Sequence, residues 1–125
     1  MKLKKADTAF SKWVRRRDSF DGVCLCPLCT DMALWQDFTC GHYIKRRHLN
    51  TRWHPGNAFA ICAKCNTEME WNTYLLHRYG LWIAAKIGPD RWGALMAKRL
   101  SKEKYMQHEI DEIEKEYNDY LKLMG

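Results

Sequence analysis

The sequence predicts a small α+β domain, stapled by a metal ion and flanked by helices at both ends. Three observations predict it. Two Cys-x-x-Cys pairs, Cys26/Cys29 and Cys62/Cys65, lie far apart in the chain. Between them, short stretches mix aromatic and polar residues in the manner of strands. Outside them, apolar residues recur at helical spacing. With 125 residues, 46% of them hydrophobic, one folding unit is expected. A chain this short buries a modest share of its surface, so a metal staple adds what the core lacks. Within that unit, residues 1–22 read as a basic N-terminal helix, 23–87 as a metal-bound core and 88–125 as a C-terminal helical extension.

Each element has its own signal. Residues 7–18 read as a helix, because Phe10, Trp13 and Val14 fall on one face and Lys12, Arg15 and Arg16 on the other. Residues 19–22 break it. The first cysteine pair sits in a hairpin or knuckle over 23–31, and 34–43 reads as a strand. Residues 44–56 form a basic loop closed by the Pro55-Gly56 turn signal. A short apolar strand over 57–61 leads to the second knuckle. A helix is expected over 66–79, stopped by Gly80, with a further turn over 81–86. The Gly88-Pro89-Asp90 break precedes a helix over 91–100, and a last helix covers 102–123. On that last helix Met106, Ile110, Ile113, Tyr117, Tyr120 and Met124 make a heptad-like stripe. The stripe suits packing on the parent domain or a homodimer seam.

Charge narrows the partners. The 21 basic and 15 acidic side chains leave +6 at pH 7, most of it within 2–17 and 45–52. Clustered basic charge favours a polyanion. The basic opening, Met1-Lys2-Leu3-Lys4-Lys5, is followed by no apolar segment of a signal peptide, and no apolar run is long enough to span a bilayer. The expectation is a cytoplasmic protein without a membrane partner, whose six cysteines stay reduced.

In a reducing compartment, paired knuckles mean metal more often than disulfide. Two C-x-x-C turns complete a tetrahedral four-thiolate site, so Cys26, Cys29, Cys62 and Cys65 are the expected ligands of a structural Zn2+. Cys24 competes with Cys26 by proximity, and the x-x spacing favours Cys26. Cys40 belongs to no pair and reads as a small buried hydrophobe. A closed four-cysteine site has no open coordination position. Any chemistry must therefore lie beside the knuckles rather than on the zinc.

Beside them stand Gly41-His42-Tyr43, Asn57 and Asn66. A histidine on a strand, an asparagine behind it and an oxygen ligand on the following helix form the HNH pattern. Phosphodiester hydrolysis needs a base to activate water and a divalent ion to stabilise charge on the departing oxygen. Neutral imidazole suits the first role near pH 7. An amide oxygen suits Mg2+ or Mn2+ in the second. Asn57 also fits a plain turn residue, and Asn66 a helix N-cap.

The stretches Phe10 to Asp18, the Cys26/Cys29 knuckle, Gly41-His42-Tyr43-Ile44-Lys45-Arg46-Arg47, Thr51 to Asn57, Cys62-x-x-Cys65-Asn66 and Tyr79-Gly80 follow one another in order. In this the chain closely resembles the phage NinG/Rap recombination proteins, and more distantly the phage junction resolvase endonuclease VII. The resemblance implies a treble-clef, ββα-metal (HNH) nuclease core over 23–87, inside a bacterial host cell. It implies structure-specific endonuclease action on branched DNA such as Holliday junctions and D-loops. By it His42 is the general base, Asn66 a catalytic-metal ligand and Asn57 the brace of the loop behind the base. Many HNH enzymes carry an acidic ligand directly before the base, where this chain has Gly41. Asp37 upstream and His48 downstream are the expected substitutes, with Glu68 or Glu70 also in reach. The departure keeps a second reading open: a non-catalytic, zinc-stabilised DNA-binding accessory protein.

Lys45, Arg46, Arg47 and Arg52 flank the expected base and suit phosphates on either side of a cut, with Lys12, Arg15 and Arg16 extending the footprint. Trp53 and Trp71 suit either core packing or stacking on unpaired bases.

Overall fold

A computed structural model describes all residues, 1–125. Six α-helices, one 3-10 turn and two two-stranded antiparallel sheets make a small α+β fold.

Helix α1 (Lys4–Arg17) begins a turn earlier than the apolar spacing predicts and buries Ala6, Ala9, Phe10 and Val14. Its last turn carries Arg15, Arg16 and Arg17, cations that suit a helix C-terminus. Asp21 and Gly22, both at positive φ, reverse the chain into β1 (Val23–Leu25). Strand β1 pairs with β2 (Met32–Leu34), and the first knuckle sits at the tip, closed by Cys26 N–H to the Asp31 carbonyl at 2.8 Å.

The single strand expected over 34–43 is broken by a 3-10 turn at Trp35–Asp37. The cause is tertiary: β2 belongs to one sheet and β3 (Thr39–His42) to the other, so the chain must change direction between them. Strand β3 pairs with β4 (Ala58–Ile61), with Thr39 opposite Ile61 and His42 opposite Ala58. All four β4 residues are buried, as a continuous apolar run implies. The basic loop between these strands contains one helical turn, α2 (Leu49–Arg52).

The helix expected over 66–79 is two helices. The Cys62 sulfur caps α3 (Ala63–Glu68) by accepting from the Cys65 N–H, so Asn66 is not the N-cap. The chain breaks over 69–72, and Asn72 caps α4 (Thr73–Ile87) by accepting from Leu75 N–H at 3.1 Å. Helix α4 runs straight through Gly80. A Cβ there would stand 2.7 Å from Cε1 of Tyr43, so this glycine serves close approach rather than termination. Helix α5 (Pro89–Leu100) opens on a proline in its first turn. Helix α6 (Gln107–Leu123) starts five residues after the expected position 102, capped by Glu109 reaching back to Met106 N–H at 3.0 Å.

Two apolar clusters hold the elements together. One joins the knuckles, Phe59, Ile61, Leu75, Tyr79 and Ile83. The other joins α1, Trp53 and α6 through Phe10, Val14, Ile110 and Tyr117. The centre of the C-terminal stripe is therefore buried within the chain, while Met106, Tyr120 and Met124 are exposed. Ile110, Ile113 and Tyr117 of the stripe pack on the parent domain. No helix is long and apolar enough to cross a membrane.

Candidate functional site

The four knuckle sulfurs, from Cys26, Cys29, Cys62 and Cys65, all lie within 4.8 Å of one another. Zinc–sulfur bonds of ~2.3 Å in a tetrahedron put sulfurs about 3.8 Å apart, so the cluster could hold a metal such as zinc. Burial, then the neighbouring sulfurs of Cys62 and Cys29, hold the Cys65 thiol well above its ordinary range. A cation at the centre would reverse that by favouring thiolates. Cys24 lies outside the cluster: it is buried, and its thiol donates to the Arg15 carbonyl at 3.3 Å. Cys40 also lies outside it, in the wall of the neighbouring cavity.

That cavity, of about 420 Å3, lies beside strand β3 and helix α3. His42 from β3 and Asn66 from α3 both line it, with Asp7 and Ser11 from α1, Lys45 and Arg46 from the basic loop, and Glu70. The Asn66 amide oxygen lies 3.5 Å from where a Cβ on residue 41 would be. That same Cβ would stand 2.7 Å from Cγ1 of Ile61. An acidic side chain at position 41 has no room here without displacing the Ile61 side chain.

The His42 ring is fixed by one strong contact. Its Nε2 lies 2.7 Å from the Arg52 carbonyl. A carbonyl only accepts, so Nε2 carries the proton and Nδ1 is left as the acceptor. Burial, helped by the Arg46 and Arg52 charges, holds the His42 pKa below the ordinary imidazole value. The ring is therefore neutral near pH 7, the state a general base requires.

Three residues hold this contact in place. Asn57 is fully buried and clamps the loop: its Oδ1 accepts from Ile44 N–H at 2.8 Å, and its Nδ2 donates to the Ile44 carbonyl at 3.0 Å and the Thr51 carbonyl at 3.1 Å. Asp7 accepts from Arg52 Nε at 2.8 Å and from Trp53 Nε1 at 2.9 Å, anchoring the residue whose carbonyl meets His42. Burial raises the Asp7 carboxyl, but the Arg52 and Trp53 hydrogen bonds outweigh it and leave the pKa lowered. Tyr79, with no exposed surface, donates to the Gly41 carbonyl at 2.5 Å and accepts from Phe59 N–H at 3.1 Å, tying β3 to β4 beside the histidine. Asp7 carries no local signal in the sequence, and Tyr79 is marked there only as part of the Tyr79-Gly80 step, without its role. They act across long chain separations, and only the packing of α1 and α4 reveals them.

Other expected residues fall elsewhere. Asp37 is exposed in the 3-10 turn, and His48 precedes α2, where its Nε2 meets Arg47 Nε at 3.4 Å; neither lines the cavity. Glu70 lines it in their place, because the chain turns at the end of α3. Glu68 is turned away to bond Asn72 Nδ2 at 3.2 Å. Lys45 and Arg46 line the cavity, while Arg47 is exposed and does not line it. Arg52 is committed to its ion pair with Asp7. Arg15 donates to the Trp35 and Gln36 carbonyls, and Arg16 to the Gly125 carbonyl at 3.0 Å, while Lys12 stands 6.0 Å over the Trp35 ring. These α1 cations thus brace the 3-10 turn and the C-terminus. Trp53 is buried in the core, whereas Trp71 is exposed.

No curated protein and no solved structure matches the chain. The family model described as Bacteriophage Lambda NinG protein matches residues 2–125, and the chain belongs to that family.

Proposed function

We propose that this protein is a metal-dependent endonuclease of branched DNA, built on a treble-clef HNH core and acting in phage recombination. The observation that carries the reading is the meeting of His42 and Asn66 in one cavity beside the cysteine cluster. The carbonyl contact at Nε2 leaves Nδ1 of His42 to take a proton from water attacking phosphorus. Asn66 and Glu70 offer oxygen donors of the kind Mg2+ or Mn2+ prefers. A divalent cation held there would stabilise charge on the phosphate and the departing 3′ oxygen. Lys45 and Arg46, in the same wall, hold the scissile phosphate and its neighbour. The zinc supplies no chemistry; it fixes the knuckles from which β3 and α3 depart.

The test is cleavage of synthetic four-way, flap and linear duplex DNA, with and without Mg2+ or Mn2+, by wild type and His42→Ala. Metal-dependent cutting of the branched forms, lost in His42→Ala with zinc content and fold unchanged, is the expected result. Full activity in His42→Ala refutes the assignment of the base. A second reading, binding without cleavage, draws on one observation: position 41 has no room for the acid many HNH enzymes carry. Tight junction binding with no product in either metal would favour it.

A further inference from the structure

Five of the six tryptophans touch another aromatic ring or a cation: Trp13, Trp35, Trp53, Trp82 and Trp92. Trp71 touches neither and is 71% exposed. Tyr74, 70% exposed, is likewise the one tyrosine outside such a pair. The two stand three residues apart, where the chain passes from α3 to α4. Their neighbour Glu70 lines the cavity that holds His42 and Asn66.

The backbone that presents them is fixed. Trp71 N–H and Asn72 N–H both donate to the Glu68 carbonyl, at 3.1 and 2.9 Å, and Asn72 caps α4. A large apolar ring held on a rigid turn and left in water loses the burial that its area would otherwise gain. Glu68 ends α3 and Glu70 lies in the turn, so a phosphate is disfavoured there while a neutral nucleobase is not. The cations Lys45 and Arg46 belong to the cavity wall and suit the adjoining phosphates.

We propose that Trp71, supported by Tyr74, is a stacking platform for an unpaired nucleobase of the DNA whose phosphate enters the His42 cavity. This rests on the nucleic-acid reading above and adds the reason branched substrates would be preferred. A paired base is already stacked on both faces, whereas a base at a flap or junction has a free face to offer. The ring reads no sequence, since every base carries such a face.

The experiment uses the full zinc-loaded chain without added Mg2+ or Mn2+, so that binding is read apart from cleavage. Two DNAs of equal length are compared: one bearing a single-stranded flap with 2-aminopurine at its base, the other fully paired. Wild type is expected to bind the flap more tightly and to quench its fluorescence. Trp71→Ala should lose the quench and roughly tenfold of flap affinity, with duplex affinity little changed. Trp71→Phe should keep most of both, and Tyr74→Ala should show a smaller loss of the same kind. Circular dichroism and zinc content confirm that the variants are folded. Equal losses on both DNAs, or no loss in Trp71→Ala, overturn the platform. Wild-type failure to bind either DNA overturns the platform and the nucleic-acid reading together. Metal-dependent cleavage alongside unchanged Trp71→Ala binding overturns the platform alone.

Discussion

A single side chain amide does much of the organising around His42. Asn57 uses its oxygen for one backbone donor and its nitrogen for two backbone acceptors, all on the 44–51 loop. Asn57→Ala would strand these groups in a buried setting and is expected to lose roughly 2–4 kcal/mol, read by urea denaturation. Asn57→Asp should fail as badly, because a carboxylate cannot donate to the Ile44 and Thr51 carbonyls. Asp7 works at longer range. Its pKa is lowered in the folded chain, so its contribution to stability is complete above the unfolded carboxylate value and fades as pH falls through the folded one. Asp7→Asn should therefore destabilise the protein near neutral pH by about 1–3 kcal/mol and flatten the acid limb of the stability curve below pH ~4. An acid limb identical to that of wild type would show that the Asp7–Arg52 pair carries no such linkage.

At the scale of elements, glycine in α4 sets a sharp contest between propensity and packing. Helix propensity favours Gly80→Ala by about 1 kcal/mol. Contact with Tyr43 opposes it, since the added Cβ would stand 2.7 Å from Cε1 and 2.9 Å from Cζ of that ring. Tyr43 is also backed by Trp92 and Tyr79, with ring centres 5.5 and 6.4 Å away, so it cannot easily retreat. Overpacking should win, and thermal unfolding of Gly80→Ala should show a net loss of roughly 1–3 kcal/mol. The knuckles offer a second test. They join β1 to β2 and β4 to α3, so removing their metal should loosen both junctions together. One zinc per chain is expected by mass spectrometry. Cys62→Ser should abolish it and lower the melting temperature, while Cys24→Ser should leave the stoichiometry intact.

Across the whole molecule, the +6 charge divides into cations that hold the fold and cations free to meet a polyanion. Arg15, Arg16, Arg17 and Arg52 donate to backbone carbonyls or carboxylates of the chain itself. Arg46 and Arg47 are exposed, Arg46 beside the cavity. Replacing both with alanine should weaken DNA binding and lower the slope of log affinity against log salt by about 2, with stability little changed. Arg52→Ala should do the opposite, lowering stability through loss of the Asp7 pair. A matching salt-slope change in Arg52→Ala would mean that this side chain leaves its ion pair for DNA.

Local chemistry was enough to find the knuckles, because two short turns of fixed spacing need no tertiary information to offer two sulfurs each. It also marked the α1 face, the buried β4 run, and the Gly-His and Cys-Asn steps. What the chain could not disclose locally is how separate elements meet. Glu70 rather than Asp37 or His48 lines the cavity, because β2 and β3 belong to different sheets and α3 stops short. Gly80 reads as a stop but is a gap cut for Tyr43. The C-terminal stripe has the same spacing whatever it faces, and only the tertiary structure shows that its Ile110 and Tyr117 pack against Phe10 and Val14 of α1. Periodicity and spacing are properties of one segment. Which surfaces touch is a property of all of them at once, and so belongs to the tertiary structure.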